Sequence, residues 1–290
     1  MLKKLKKPNK LTFAIIGTGF IFRNHVQAIY KIGGEIVDVI DESHGEDAWK
    51  EMAKSTEADC IVILAPNNLH FEMTKFSSEN GKIVLCEKPL TINSKEAKIL
   101  TKYPNIFTVC QLRYHPLVKQ LKSEIYSHGP IRISERSPEG GARLGYSHAK
   151  NYKIEMDISV HRDESYWKSW KGQKERTGGI LFNLGIHYFD LLLYLFGKPT
   201  KVLTYSLGEK AGEGIIEGEN YKCHWRVSGE EPKETQQRVF KINGTPYNFY
   251  SNENLHICVY KDLLEGRGVT PKDALSSIEL IEKIYASAKK

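Results

Sequence analysis

Three places in this 290-residue chain carry residue types at spacings that suit chemistry. The first is Glu87-Lys88-Pro89, which closes the apolar run "KIVLCEKP" (82–89). A lysine at a buried strand end, held by a neighbouring proline, can hydrogen-bond or acidify a substrate hydroxyl. The same lysine reads equally as a surface residue paired with Glu87. The second is "FNLGIHYFD" (182–190), where Asn183, His187 and Asp190 interrupt one of the most apolar stretches of the chain. On an α-helix these positions fall within about 60° of one another, so one narrow polar stripe crosses a greasy helix. Polar groups near a core are costly unless paired. The stripe must therefore face a ligand cleft, or else be a structural trio bonded to loop backbone.

The third place is the turn Gly17-Thr18-Gly19 after "LTFAIIG" (11–17). Gly17 permits a tight turn, and Gly19 lets a pyrophosphate approach the backbone at a helix N-terminus, with Phe20 and Ile21 following in the turn. The third glycine of G-x-G-x-x-G is absent, because Phe22 holds its place. Asp41 ends the next strand about 20 residues on, where a carboxylate binds the adenosine ribose hydroxyls and repels a 2′-phosphate. That combination predicts NAD rather than NADP. The bland alternative for Asp41 is a helix-capping or loop carboxylate.

The elements that must position these residues alternate. Strands at 11–17, 35–41, 60–66, 82–89 and 106–111 are separated by helical segments, the pattern of a parallel sheet with helices on both faces. Ligands sit beyond the carboxyl ends of such strands. There the chain places Pro66, Asn67 and His70, then Glu87 and Lys88, then Gln111, Arg113 and His115. His70 also reads as a helix cap and Arg113 as a linker salt bridge. From residue 114 the pattern changes to α+β. An amphipathic helix and a strand ("PIRISER") lead into a glycine-rich stretch at 137–151 that reads as a loop or insertion. Several sequential strands follow the "FNLGIHYFD" helix, with a hairpin signal at Asn243-Gly244. Two helices close the chain. This predicts a Rossmann-type domain over 1–113 and an α+β domain over 114–290. The second has a large, mostly antiparallel sheet with one face free for an interface.

Composition excludes several classes. The net charge is +7, but five lysines lie in the first ten residues (Lys3, Lys4, Lys6, Lys7, Lys10), so the remainder is only about +2 and nucleic acid is not an expected partner. No signal peptide and no membrane span are expected. The five cysteines are odd in number and scattered, which suits reduced thiols of a cytoplasmic protein with no metal site.

Glycine turn, Asp41, Glu87-Lys88-Pro89 and G-x-H-x-x-D (Gly185, His187, Asp190) together resemble the glucose-fructose oxidoreductase / inositol dehydrogenase (Gfo/Idh/MocA) family, whose H-x-x-A fits His25 and Ala28. "QLRYHP", "SWKG" and "TGGILFNLGIHYFD" resemble more closely its UDP-N-acetylglucosaminuronate 3-dehydrogenases of bacterial surface-polysaccharide synthesis, which carry asparagine at the place of Asn183. The resemblance implies oxidation of a sugar 3-hydroxyl by NAD to a 3-keto sugar, with 2-oxoglutarate able to take the hydride back, and a homo-oligomer. It implies His187 as proton acceptor, Lys88 as alkoxide stabiliser and Asn183 as a partner for a substrate hydroxyl. Arg113, His115, Trp170 and Lys171 are expected to meet the nucleotide-sugar, while Asp190 orients His187 or ties the helix down.

Overall fold

The computed structural model describes residues 11–127, 131–136, 142–147, 151–249 and 254–288. The lysine-rich first ten residues and parts of the 137–151 stretch lie outside the described residues. The first half is a five-stranded parallel sheet of β1 (Thr12–Ile16), β2 (Glu35–Ile40), β3 (Cys60–Ile63), β4 (Ile83–Cys86) and β5 (Ile106–Thr108), in the order β2-β1-β3-β4-β5. Strands β1, β3 and β4 are short apolar runs buried almost throughout, as a sheet covered on both faces requires. Helices α1 (Phe22–Lys31), α2 (Ala48–Ser55), α3 (His70–Glu79) and α4 (Ser94–Leu100) supply the covers. Asn93 caps α4 by accepting the Glu96 N–H. The strand order reverses between β1 and β3, and the crevice at that switch point is where a ligand belongs.

Helix α5 (Pro116–Ser127) leads to β6 (Ile131–Arg136) and β7 (Ala142–Ser147), which pair antiparallel as a separate two-stranded sheet. Residues 142–147 were expected to be loop because glycine is a poor strand former. Ladder pairing with β6 overrides that preference, since β-propensity is mostly a matter of context.

The second half is built on a six-stranded sheet of β8 (Tyr152–Ser159), β9 (Pro199–Leu207), β10 (Ala211–Gly218), β11 (Tyr221–Ser228), β12 (Gln237–Ile242) and β13 (Thr245–Tyr247). Its order is β13-β12-β8-β11-β10-β9; β8 and β11 run parallel and the other neighbours antiparallel. Asn243 (φ 52°) and Gly244 (φ 83°) form the hairpin turn between β12 and β13. One sheet face is apolar: Ile154, Met156, Trp225, Val227 and Phe240 pack into the core shared with α8 (Ile186–Phe196), where Phe189 meets Trp225 edge-on at 5.6 Å. Short helices α6 (Glu164–Lys168) and α7 (Lys174–Thr177) precede α8.

Two helices end the chain, α9 (His256–Leu264) and α10 (Pro271–Ser287), the latter opened by a Thr270/Asp273 capping box with Pro271 in its first turn. Both return to the first half. Val259, Tyr260 and Leu263 of α9 share a core with Phe13 and Ile15 of β1, and α10 packs on α4 as well as on α8. The helical stretch 174–196 is long and apolar enough to cross a membrane by composition, but it is 67% buried, as a core helix is.

Candidate functional site

The glycine turn closes on the switch-point crevice. Gly17 lies at φ +103°, and a Cβ there would stand 2.8 Å from the Leu64 carbonyl oxygen at the end of β3. Only glycine fits so close an approach in the left-handed region. A Cβ on Gly19 would meet nothing within 4 Å, so the backbone there is open to a ligand. The turn borders a cavity of about 630 Å³, lined also by Asp41, Pro66, Trp170 and Arg176. Asp41 both caps the turn that follows it and faces this cavity. Its carboxylate accepts from the Ser43 hydroxyl (2.6 Å), the Thr18 hydroxyl (2.6 Å) and the Ser43 N–H (3.1 Å). Those bonds, the Ser43 hydroxyl first, hold its carboxyl well below the usual range. An open pyrophosphate approach, an ionised acid at the end of β2 and a cavity between them fit NAD.

Three other expected cofactor or substrate residues have their polar atoms engaged inside the protein. Asn67 is buried and its amide donates to the Thr177 carbonyl at 3.0 Å. His70 sits between the Pro89 carbonyl (2.6 Å) and the Ala65 carbonyl (2.8 Å), tying the end of β3 to the segment after β4, and burial pushes its imidazole down. His115 is buried against Phe249, with its Nδ1 accepting the Leu117 N–H. Phe20 is 90% exposed, with the Lys171 ammonium 5.5 Å from its ring centroid, and Ile21 caps α1 half-buried. The Gln111 Oε1 is buried without a hydrogen-bond partner among the described residues.

Around Lys88 the two halves meet. The Lys88 Nζ donates to the Asn183 carbonyl at 3.3 Å. Residues 181–185 form a π turn rather than the first turn of an α-helix, and α8 proper begins at Ile186. The widened turn rotates Asn183 away from the positions that follow, so the expected single stripe splits. The Asn183 amide donates to the Tyr166 hydroxyl (2.5 Å) and the Lys171 carbonyl (3.2 Å). Asp190 takes a bidentate pair from Arg113, at 2.8 Å to Nε and 2.6 Å to a terminal nitrogen, and the guanidinium stacks over Tyr194. Arg113 is thus a tie between the halves, and Asp190 anchors α8 to it rather than orienting His187. A hydrophobic periodicity of 3.6 contains no marker for a one-residue widening of this kind.

His187 keeps a half-buried ring with no hydrogen bond to any described residue. Burial first, and the Lys88 charge second, push its imidazole well below the ordinary range, so it stands neutral. Lys88 is pushed down by burial and by Arg162 and Lys171, and held up by Glu87. Arg162 stacks on Tyr166 at 5.0 Å with its Nε unpartnered, and Arg238 bears on both His187 and Tyr188. Neither arginine has a carboxylate partner among the described residues. Sequence reading passed over both. Arg238 did leave a signal: in β12 it shares the strand parity of Phe240 and Ile242, although it is itself exposed near the start of the strand. Arg162 lies in irregular chain and Tyr166 in the short helix α6, with no such mark.

A cavity at the glycine turn that fits a nicotinamide cofactor, a neutral imidazole and an ammonium where the two halves meet are the parts that a nicotinamide-dependent alcohol oxidoreductase needs. The chain belongs to the Gfo/Idh/MocA oxidoreductase family: residues 11–105 match its NAD-binding Rossmann fold and residues 150–228 its C-terminal alpha/beta domain. Among curated relatives, an uncharacterized oxidoreductase of Streptococcus pneumoniae is 26% identical over 70% of this chain and 54% of its own length. The Bacillus subtilis scyllo-inositol 2-dehydrogenase (NADP(+)) IolU is 26% identical over 71% of this chain and 65% of its own. The chain thus spans a little over half the length of the first of these relatives. The WlbA (WbpB) dehydrogenase of Thermus thermophilus, solved with NAD and UDP-GlcNAcA, has the same fold, with TM-score 0.76, 24% identity and coverage of 93% and 92%.

Proposed function

We propose that this chain oxidises the 3-hydroxyl of UDP-N-acetyl-D-glucosaminuronic acid to the 3-keto sugar, a precursor step for bacterial lipopolysaccharide or O-antigen. The observation that carries the reading is the charge of the cleft. Lys88, Arg162, Lys171 and Arg238 all bear on Lys88 or His187, and the acid acting on both is the buried Glu87. Such a field suits a substrate with a diphosphate and a carboxylate. It leaves more cations than Glu87 can offset around a neutral cyclitol, the substrate named for the B. subtilis relative.

NAD, when bound, supplies the hydride acceptor. Gly17, Gly19 and Asp41 would hold it, with Pro66 and Trp170 along the same cavity. His187, neutral and with no hydrogen bond to any described residue, takes the hydroxyl proton as the C–H hydride leaves. The Lys88 ammonium, steadied by the Asn183 carbonyl, stabilises the developing alkoxide. Asn183 acts by clamping Tyr166 and the Lys171 backbone beside the cleft. The same cations suit 2-oxoglutarate as the acceptor that restores NAD. A T. thermophilus WlbA structure contains NAD and alpha-ketoglutarate. The helix-free face of the six-stranded sheet is the surface for a homo-oligomer.

The test is incubation with UDP-N-acetylglucosaminuronate and 2-oxoglutarate, followed by mass spectrometry. The 3-keto sugar nucleotide and 2-hydroxyglutarate are expected. Turnover of UDP-N-acetylglucosamine or of an inositol in their place would reject the acidic sugar. Bound NAD with no turnover of any of these would make the chain a sensor rather than an enzyme.

A further inference from the structure

Glu87 is buried next to Lys88, yet the reaction above gives it no task. Its Oε2 accepts the Lys88 backbone N–H at 3.0 Å. Its Oε1 faces two imidazoles, the His25 Nε2 of α1 at 3.0 Å and the His256 Nε2 of α9 at 3.4 Å. The two rings meet edge to face at 4.7 Å, and both histidines are buried.

The hydrogens in this cluster can be counted. The Asn254 Nδ2 donates to the Asn24 carbonyl at 2.7 Å. Its Oδ1 is therefore the atom that accepts the His256 backbone N–H (3.1 Å) and faces the His256 Nδ1 at 3.0 Å. A carbonyl oxygen only accepts, so Nδ1 carries a hydrogen. With one hydrogen alone, the ring would turn a bare Nε2 lone pair toward a carboxylate oxygen, and two acceptors would meet in the core. No other described group bonds that nitrogen. His25 has no such conflict. The Tyr260 hydroxyl, 2.8 Å from its Nδ1, can donate, which frees the Nε2–H for Glu87. The contact between Glu87 and His256 is short of one cation.

We propose that the cluster holds an additional proton between Glu87 and His256, and that His256 is a positioning residue that acts on Lys88 through Glu87. The carboxylate then stays ionised inside the core and binds the Lys88 N–H by a charge-assisted bond. It also sets one negative charge beside Lys88 against the repulsion of Arg162 and Lys171. Burial works against ionisation of Glu87, and the two imidazoles outweigh it and hold the carboxyl well below its ordinary range. The titratable groups facing the cluster are Tyr260 from α9, Cys86 and Lys88 at the end of β4, His70 from α3, Cys110 after β5 and His187 from α8. A divalent metal bound by His25, Glu87 and His256 is the other way to supply the missing charge.

Nuclear magnetic resonance of the NAD-loaded protein labelled with ¹⁵N-histidine tests the proton directly. At neutral pH one imidazole should carry hydrogens on both nitrogens. That signal should vanish in His256→Gln and revert to a singly protonated ring in Glu87→Gln. Singly protonated rings at both His25 and His256 would overturn the proposal, and so would one zinc per chain in protein purified without chelator. The positioning role rests on the dehydrogenase reading and is tested separately with UDP-N-acetylglucosaminuronate. His256→Gln should keep NAD bound and lower kcat about ten-fold with KM changed less than about two-fold. An unchanged kcat would remove the role. Should the wild type turn over no sugar nucleotide, the functional reading fails while the imidazole signals still decide the cluster.

Discussion

His187 and Lys88 share a buried, cation-rich field that pushes the pKa of both down. The imidazole stands neutral because burial and the neighbouring ammonium both penalise its charged form. A general base held this way keeps its lone pair below pH 6.5, the ordinary imidazole value. The sign follows: a base with a lowered pKa stays active further into acid. The acid limb of kcat/KM for sugar oxidation should therefore lie well below that pH, and a pH–rate profile checks it. A half-activity point at or above the ordinary value would assign the proton to another group. His187→Ala should lower kcat by about 10²–10⁴-fold, the usual contribution of a general base. Lys88→Ala should abolish measurable turnover. Both variants should retain NAD, read by chromatography of the cofactor released on denaturation. Full activity in either would take that residue out of the chemistry.

At the scale of elements, the site depends on how α8 is joined to its surroundings. The π turn at 181–185 brings the Asn183 carbonyl to Lys88, while the Arg113–Asp190 pair fixes the helix to the end of the parallel sheet. The side chains of that pair are 14% and 5% exposed, so solvent screens little of it. Asp190→Ala would leave a guanidinium charge without its partner, at a cost of about 3–5 kcal/mol. Chemical denaturation should show that loss; a change under about 1 kcal/mol would mean the pair behaves as a surface contact. Helix α9 makes a similar tie. It follows the second sheet in sequence, but Tyr260 and Val259 belong to the core of the first half.

For the whole molecule, the open face of the six-stranded sheet is a large surface that no helix among the described residues covers. Ion pairs Lys241–Glu155 (2.7 Å) and Lys222–Glu217 (3.0 Å) cross it, and Leu203 and Tyr205 stand exposed on its β9 edge. A sheet with charged pairs and exposed apolar residues on one face suits a second copy of itself. Light scattering should return a multiple of the 33.1 kDa chain mass, and Tyr205→Asp should shift it toward a single chain. A monomeric wild type would reject this interface.

The sequence alone determined what repeats or what a single residue must do. Apolar runs separated by helical segments set the parallel sheet. Gly17 was legible because only glycine tolerates that turn. Lys88 and His187 stood out as polar residues in apolar runs. What the tertiary structure decided was which polar atoms meet. Arg113 joins Asp190 across 77 positions and His25 joins Glu87 across 62, distances at which no local pattern carries information. The π turn escaped because it breaks the period by one residue. Arg162 and Arg238 escaped because a cation that acts on Lys88 or His187 looks like any other until the fold brings them together. The candidate site lies where two halves of the chain meet, so its geometry belongs to the packing of both and to neither segment by itself.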